Sequence, residues 1–192
     1  YLNPGDPNGN QWIVGQCDVS IRPGWFYHSD QDSLVKSPQQ LADIYYKSVG
    51  RNALLLLNLP PDKRGLIYEN DVKVLTDFKS ILDESLAYDL AKEQKITSNN
   101  FRSKHSKFSP SNTLDGDSTT YWATDDNIFP ASLEIELNKK RTFDRILIQE
   151  PIRFGQRISE FEIDVMRDTG WKSVFKGTTI GYKRILRIPS VN

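Results

Sequence analysis

The chain has 192 residues, of which 38% are hydrophobic and 11% aromatic, so it can bury a core and form one large domain or two small ones. Its 25 basic and 25 acidic residues cancel, which argues against the basic surface that nucleic acid or an anionic membrane attracts. The single cysteine, Cys17, excludes an internal disulfide and a zinc site built from several thiolates. No apolar run reaches the ~20 residues that a membrane span needs.

Residues 15–28, GQCDVSIRPGWFYH, combine an amide, a thiol, a carboxylate, a guanidinium and three aromatic side chains. A core strand tolerates so many polar groups only where each has a partner, and a solvated loop rarely holds three aromatic residues in a row. We therefore interpret this stretch as a loop that forms the wall of a pocket.

Residues 37–90 predict a helix, a strand and a second helix. The run SPQQ at 37–40 has the form of a capping box with proline at the first helical position, and Gly50 is typical of a helix end. The apolar run ALLLL at 53–57 does not alternate, which predicts a parallel strand covered on both faces. Asn70 then predicts the N-cap of the second helix. The expected buried side of that helix comprises Val72, Leu75, Phe78 and Leu82.

From about Lys92 the pattern changes to a period of two. Apolar and acidic residues alternate over 133–137 and 161–165, and apolar residues fill 146–148. Several short strands with turn signals between them predict an antiparallel β-sandwich. The expected fold class is therefore an α/β portion followed by an all-β portion.

Four long runs resemble a known family. They are DVSIRPGWFYH at 18–28, LADIYYKSVGRNALLLLNLPPDKRGLI at 41–67, FSPSNTLDGDSTTYWAT at 108–124 and GTTIGYKRILRI at 177–188. Together they resemble the C-terminal part of an α-L-fucosidase of glycoside hydrolase family 29, and more narrowly its 1,3/1,4-linkage-selective branch. Such long runs are far more specific than a short motif.

The resemblance implies a domain division. Residues 1–90 would be the C-terminal part of a catalytic (β/α)8-like barrel. Residues 91–192 would be a discoidin-type, galactose-binding-like β-sandwich that lacks its last strand. The aspartate nucleophile would lie in earlier barrel strands, so this segment alone is expected to be inactive.

Retaining glycosidases use two carboxyl groups about 5–5.5 Å apart, one as the nucleophile and one as the general acid and base. The resemblance implies that a glutamate acid/base directly precedes the run CDVS, and this position holds Gln16. An amide keeps the shape of glutamate but exchanges no proton near neutral pH. We favour an inactivated Glu→Gln variant, while a natural paralogue that binds without cutting, or another acid, stays open. Asp18 is the nearest substitute acid, although it is better explained as orienting its loop.

Three further residues are candidates for binding the sugar. Trp25 offers an indole platform for the apolar face and the 6-methyl group of fucose, with a core tryptophan as the alternative. Arg22 touches sugar hydroxyls or forms a structural ion pair with Asp18 or Asp30. Asn58 ends the predicted buried strand, where barrel active sites are built, although a plain turn residue is the stronger alternative.

In the all-β portion, Asp115, Asp117 and Thr120 place oxygen atoms on a tight turn. The resemblance implies a structural calcium ion there, and an Asx turn that leads into the core position Trp122 carries equal weight. No metal or organic cofactor is expected in catalysis.

The resemblance thus implies a retaining exo-α-L-fucosidase that removes terminal α-1,3- or α-1,4-linked fucose from branched glycans. The alternative is a non-catalytic protein that binds fucose or a larger glycan on the same fold. The first residues predict no signal peptide within this chain. A secreted, periplasmic or lysosomal location follows from the resemblance alone, and the N-terminal barrel portion is an expected partner.

Overall fold

The computed structural model describes residue 6 and residues 8–191. These residues form two compact units. The first runs up to Ala87 and also includes Arg145–Ile188, whereas the second comprises Tyr88–Asp144 and the residues from Pro189 onward. Within the described ranges, no helix is both long and apolar enough to cross a membrane.

The first unit is built on two parallel strands, β1 (Gly15–Ser20) and β2 (Ala53–Asn58). Their register pairs Gln16 with Leu54 and Ser20 with Asn58. The prediction of a parallel strand over 53–57 is therefore confirmed. The prediction that this strand is covered on both faces is wrong for the chain as described, because Leu54 and Leu56 are 57% and 52% exposed.

The structure also corrects the interpretation of residues 15–28 as a loop, since residues 15–20 form β1 and only the residues after them leave the strand. The polar side chains fit a strand because they alternate. Gln16 and Asp18 lie on the exposed face, whereas Cys17 and Val19 are partly buried on the other. The polar groups thus avoid desolvation on the covered face.

Helix α1 (Pro38–Lys47) begins with the predicted capping box. The backbone N–H of Gln40 donates to Ser37 Oγ at 3.2 Å, and the backbone N–H of Ser37 donates to Gln40 Oε1 at 2.8 Å. Helix α2 (Glu69–Ser85) begins earlier than predicted. Its N-cap residue is Tyr68, and Asn70 instead donates from Nδ2 to the carbonyl oxygen of Asp32 at 3.2 Å.

The hydrophobic core of the first unit lies between these helices and the covered face of the strands. Its fully buried centre comprises Ile21, Leu41 and Val74. The helix α2 residue Val72, predicted to be buried, is 46% exposed. The partly buried residues packed around the centre are Val35, Ile44, Leu57, Leu59, Leu75 and Phe78.

The other strands are short. They are β3 (Lys95–Ser98), β4 (Leu133–Glu136), β5 (Phe143–Ile148), β6 (Phe161–Arg167), β7 (Gly170–Gly177) and β8 (Arg184–Val191). The pairs β3–β4 and β6–β7 are antiparallel, and β5 pairs with β8. Each described sheet has two strands and none closes on itself. The 3₁₀ helices are Ser29–Leu34, Arg102–Lys104, Ser106–Phe108, Pro110–Thr113 and Ile152–Phe154.

The predicted period-two alternation is confirmed over residues 161–165 of β6, where the apolar side chains are partly buried and the acidic ones are exposed. In β4 the apolar residues Leu133 and Ile135 are 38% and 41% exposed, so neither face of this strand is fully covered in the chain as described. The predicted boundary between residues 90 and 91 stays a prediction.

Within the first unit, two side chains hold the segment that leads into β8. Asn52 has a left-handed backbone with φ of 69°, donates to Ile180 O at 3.0 Å and accepts from Lys183 N at 2.7 Å. Its side chain leaves no room for a Cβ at Gly181, where such an atom would lie 2.7 Å from Asn52 Oδ1. Glu150 accepts hydrogen bonds from three backbone N–H groups, those of residues 157, 158 and 181, at 2.7–3.0 Å.

Candidate functional site

The carboxyl ends of β1 and β2 meet at Ser20 and Asn58, which the parallel register places opposite each other. Asn58 donates from Nδ2 to Ser20 Oγ at 3.1 Å and to the carbonyl oxygen of Trp25 at 3.0 Å. Ser20 Oγ in turn donates to the carbonyl oxygen of Gly24 at 2.6 Å. Two strand-end side chains therefore fix the backbone of the loop that follows β1.

Two aromatic side chains in this loop are exposed to solvent. Trp25 is 53% exposed and Phe26 is 77% exposed. Trp25 is therefore not a core residue of the part of the chain that the structure describes, and its role in binding sugar stays a prediction. An exposed indole on a loop whose backbone is held in place forms a flat apolar surface with a hydrogen-bond donor.

Arg22, in the same loop, faces the interior and is fully buried. Its Nε and Nη2 donate to the two carboxylate oxygens of Asp71 at 2.8 and 2.9 Å, and its Nη1 donates to Asp32 at 2.9 Å. The guanidinium also lies over the rings of Tyr27 and Tyr68, at 4.6 and 5.5 Å from the ring centres. The structure thus corrects the prediction that Arg22 touches sugar. The side chain forms a structural ion pair, with Asp71 and Asp32 as partners in place of Asp18 and Asp30.

The electrostatics of this cluster keep Arg22 charged and Tyr27 neutral. Although burial acts to lower the pKa of Arg22, hydrogen bonds to Asp71 and Asp32 raise it above its ordinary value. Burial, and then the charge of Asp32, raise the pKa of Tyr27, whose hydroxyl donates to Asp32 at 3.3 Å. Because Arg22 stays charged and Tyr27 stays neutral, the cluster is a permanent support beneath the loop.

The loop that follows β2 is held by hydrogen bonds to the aspartate Asp62. Asp62 accepts hydrogen bonds from the backbone N–H and from Nε of Arg64, both at 2.8 Å. The Arg64 side chain lowers the pKa of Asp62 below its ordinary value. Both loops at the carboxyl edge of the strands therefore carry carboxylates that orient the chain.

Gln16 lies away from this edge. It is the second residue of β1 and donates from Nε2 to Asp18 Oδ1 at 2.7 Å. Ser20 lies four positions further along the strand, which corresponds to about 13 Å between the two residues. The structure therefore brings Trp25 and Asn58 together at one end of the strands and places Gln16 with Asp18 toward the other.

Sequence reasoning missed Ser20, Asp71 and Asp32. Ser20 is signalled only by the register, which puts it opposite Asn58. Asp71 lies in the first turn of α2, where an acidic residue is ordinarily explained by the helix dipole. Its burial beside Arg22 depends on a contact 49 residues apart in sequence, which no local pattern reveals.

In the second unit, the turn at 115–120 brings several oxygen atoms together. Thr120 Oγ1 lies 2.7 Å from Asp115 Oδ2, 3.0 Å from the Asp117 carbonyl oxygen and 3.3 Å from the Asn112 carbonyl oxygen. The Asp117 carboxylate instead accepts from the backbone N–H and hydroxyl of Thr119. Asp115 also accepts from the backbone N–H of Asp117, so the predicted Asx turn is present.

Oxygen ligands of this kind are the ones that calcium prefers, and three of these oxygens surround the Thr120 hydroxyl. Among the described residues, no group of three or more histidine, cysteine, aspartate or glutamate side chains could hold a metal ion. Any cation at this turn would therefore depend on carbonyl and hydroxyl oxygens as well as on carboxylates.

Each half of the chain is similar to a different family model. Residues 2–84 match the family model for α-L-fucosidase. Residues 94–187 match the model for the F5/8 type C domain. The α-L-fucosidase match includes the strand-end residues and the Trp25 loop, and the F5/8 type C match includes the 115–120 turn.

Relatives over the whole chain carry the α-L-fucosidase name. Alpha-L-fucosidase 1 of Arabidopsis thaliana is 42% identical over 195 aligned residues, which cover all of this chain and 38% of the relative. The chain thus spans less than two fifths of that relative's length. It is similar to the C-terminal region of α-L-fucosidases, and proteins so named are glycoside hydrolases.

Solved structures agree with the sequence comparison. A crystal structure of SpGH29 has a TM-score of 0.88 and 41% identity, covering 97% of this chain and 40% of that one. A GH29 fucosidase of Ruminococcus gnavus in complex with fucose has a TM-score of 0.89 and 33% identity, covering 97% of this chain and 38% of that one.

Proposed function

We propose that the chain is the C-terminal region of a retaining exo-α-L-fucosidase that removes terminal α-1,3- or α-1,4-linked fucose from branched glycans. The observation that carries the proposal is the exposed Trp25 at the carboxyl end of two parallel strands, within the segment that matches α-L-fucosidases. In α/β barrels this is the end at which substrates bind. The R. gnavus relative was solved with fucose bound, which supports fucose as the sugar.

Trp25 suits the chemistry of fucose. The sugar has an apolar ring face and a methyl group, and an indole covers both without losing much conformational freedom. Because Asn58 and Ser20 hold the loop before the sugar arrives, binding does not have to order it.

The proposed activity requires a preceding barrel portion. The exposed Leu54 and Leu56 lie on the same face of the strands as Gln16 and Asp18, and further strands and their side chains would cover that face. We propose that this portion supplies the nucleophile. The proposed glycan substrates also fit the secreted, periplasmic or lysosomal location expected from the resemblance.

Fucose release from a Lewis-type trisaccharide by the intact protein tests the proposal. Trp25→Ala is expected to raise KM by about 10- to 100-fold, because the variant loses roughly 1.5–3 kcal/mol of apolar contact. Trp171→Ala is the matched control, since Trp171 is also an exposed tryptophan, 49% accessible, but lies in β7. Equal effects of the two variants would contradict a binding role for Trp25.

The acid/base role expected of position 16 is a separate hypothesis. Gln16 is exposed in the chain as described, but it lies toward the amino end of β1. The sugar-binding end is about 13 Å further along the strand. This distance favours the explanation that another acid, in the preceding barrel portion, serves as the acid/base.

Gln16→Glu and Gln16→Ala, compared with the unchanged protein, separate the explanations. A gain of about 10²–10⁴ in rate with glutamate would assign the acid/base to position 16. Equal turnover in all three forms would place the acid elsewhere. Fucose binding without turnover in any form would instead favour the non-catalytic, glycan-binding alternative.

We also propose a structural calcium ion at the 115–120 turn, held by Asp115, Thr120 and the Asp117 carbonyl oxygen. The convergence of these oxygens supports it. Calcium should raise the thermal midpoint of the protein more than magnesium does, since the site offers many oxygens in irregular geometry. The difference should vanish in Asp115→Ala and persist in Asp89→Ala, whose carboxylate lies outside the turn.

A further inference from the structure

Phe26 is an exposed aromatic residue that the proposed fucose site leaves without a role. Its side chain is 77% exposed, which is more than the 53% of Trp25 directly before it. A single exposed apolar side chain is ordinary on a protein surface. The position of Phe26 is informative, however, because the residue follows Trp25 in the loop at the carboxyl end of β1. What its ring can contact depends on how that loop is held.

The residues on either side of Phe26 are both anchored. On one side, Asn58 donates from Nδ2 to the carbonyl oxygen of Trp25 at 3.0 Å, and this carbonyl belongs to the peptide group that Trp25 shares with Phe26. On the other side, the Tyr27 hydroxyl donates to Asp32 at 3.3 Å. The backbone at Phe26 is therefore held from both directions while its ring stays in solvent.

A second loop meets this one at a stack of two tyrosines and an arginine. The ring centres of Tyr27 and Tyr68 are 5.9 Å apart, and the Arg22 guanidinium lies over both rings. Tyr68 is the last residue of the loop between β2 and α2, and Ile67 before it is 40% exposed. Phe26 and Ile67 thus each adjoin one ring of the stack. The exposed apolar surface at this edge therefore includes side chains from both loops.

A second aromatic ring beside Trp25 suits a second sugar. In a branched glycan, the sugar that carries fucose is joined to it through a single oxygen atom, so the two rings are neighbours. Consecutive Cα atoms are about 3.8 Å apart, which lets the side chains at 25 and 26 contact adjacent sugars. The apolar face of a sugar ring packs on an aromatic side chain. Because the loop is already held, such a contact costs little conformational entropy.

We propose that Phe26 contacts the sugar to which fucose is attached, and so contributes to the choice of glycan and not to the binding of fucose itself. This inference rests on the proposed function, in which Trp25 contacts fucose. Phe26 is then a specificity-determining residue of that site. If the preceding barrel portion covered the ring instead, removal of the ring would change the stability of the protein and not its preference among ligands.

The test compares two constants of the intact protein, KM for a Lewis-type trisaccharide and the inhibition constant of free fucose. Phe26→Ala should raise the KM about 5- to 10-fold and leave the inhibition constant within about twofold, because free fucose has no second sugar. Trp25→Ala should raise both constants, since both ligands contain fucose. Phe26→Tyr keeps the ring and should keep the KM. Phe129→Ala, the matched control, removes a phenylalanine that is 88% exposed in the second unit and should change neither constant.

Three results would overturn the proposal. An equal rise of both constants in Phe26→Ala would place the ring in the fucose site. No change in either constant would mean that the ring contacts no ligand. A lower thermal midpoint with an unchanged KM would mean that the preceding barrel portion covers it.

A protein that releases no fucose still permits the test. Dissociation constants from calorimetry then replace both values, and Phe26→Ala should weaken binding of the trisaccharide alone. Absence of turnover counts against the proposed hydrolysis, whereas equal effects on the two ligands count against the role of Phe26, so the two failures are distinguishable. Binding of neither ligand by the unchanged protein would overturn both proposals.

Discussion

Replacement of Asp71 by asparagine should be among the most damaging single substitutions in the first unit. Asp71 is fully buried and forms two of the three hydrogen bonds that Arg22 makes with carboxylates. Asp71→Asn leaves Asp32, which is partly exposed, as the only carboxylate bonded to the buried guanidinium. Breaking a buried pair by removing one partner costs about 3–5 kcal/mol. For a domain of about 150–250 residues that corresponds to a fall in Tm of about 6–20 °C, and the fall is smaller in a longer cooperative unit.

Thermal unfolding of the intact protein, followed by circular dichroism, measures this fall. Asp77→Asn is the matched control in the same helix, because Asp77 forms only an exposed pair with Lys73. Pairs of that kind contribute about 0.3–0.5 kcal/mol. If Asp71→Asn cost no more than Asp77→Asn, the Arg22 cluster would not support the loop as we describe.

Three further predictions concern single side chains. Asn58→Ala should free the Trp25 loop and raise KM for fucosylated substrate by about tenfold, with little change in Tm, and a large loss of Tm without a KM change would contradict this. Glu150→Ala leaves three backbone N–H groups without their acceptor, and it should lower the unfolding free energy by on the order of 3 kcal/mol in denaturant titration. The pKa of Asp62 in the folded protein is lowered, chiefly by Arg64. The contribution of Asp62 to the stability of the protein is therefore fully present above the ordinary carboxyl pKa, and it is lost as the pH falls through the lowered pKa. Asp62→Asn should therefore flatten the acid side of the stability profile, and an unchanged profile would refute this.

Local signals in the sequence predicted local structure well. The capping box at Ser37 and the apolar run at 53–57 each depend on neighbouring residues, and both were confirmed. The sequence does not reveal strand β1, because the polar residues in it favour a loop. Their alternation shows instead that one face of the strand is open in this chain.

Contacts between distant segments could not be predicted in this way. Arg22 carries the same sequence signal whether it touches a sugar or an aspartate 49 residues away. Trp25 was a candidate from residue type alone, and its exposure became known only with the path of its loop. Residue type thus indicated which side chains to consider, and the fold decided which of them face outward.

The Asn52 contact with Gly181 links two positions that are far apart in sequence. Any side chain at 181 would collide with the Asn52 amide, and Gly181 also has a backbone φ of 72° that other residues rarely adopt. A side chain at 181 should therefore be tolerated only when residue 52 also becomes smaller, and most readily when that side chain is asparagine or aspartate, which adopt a positive φ more often than other residues. In a set of variants selected for folding, these two positions are expected to vary together. Such covariation would indicate that a contact between residues 52 and 181 holds the segment before β8 in those variants.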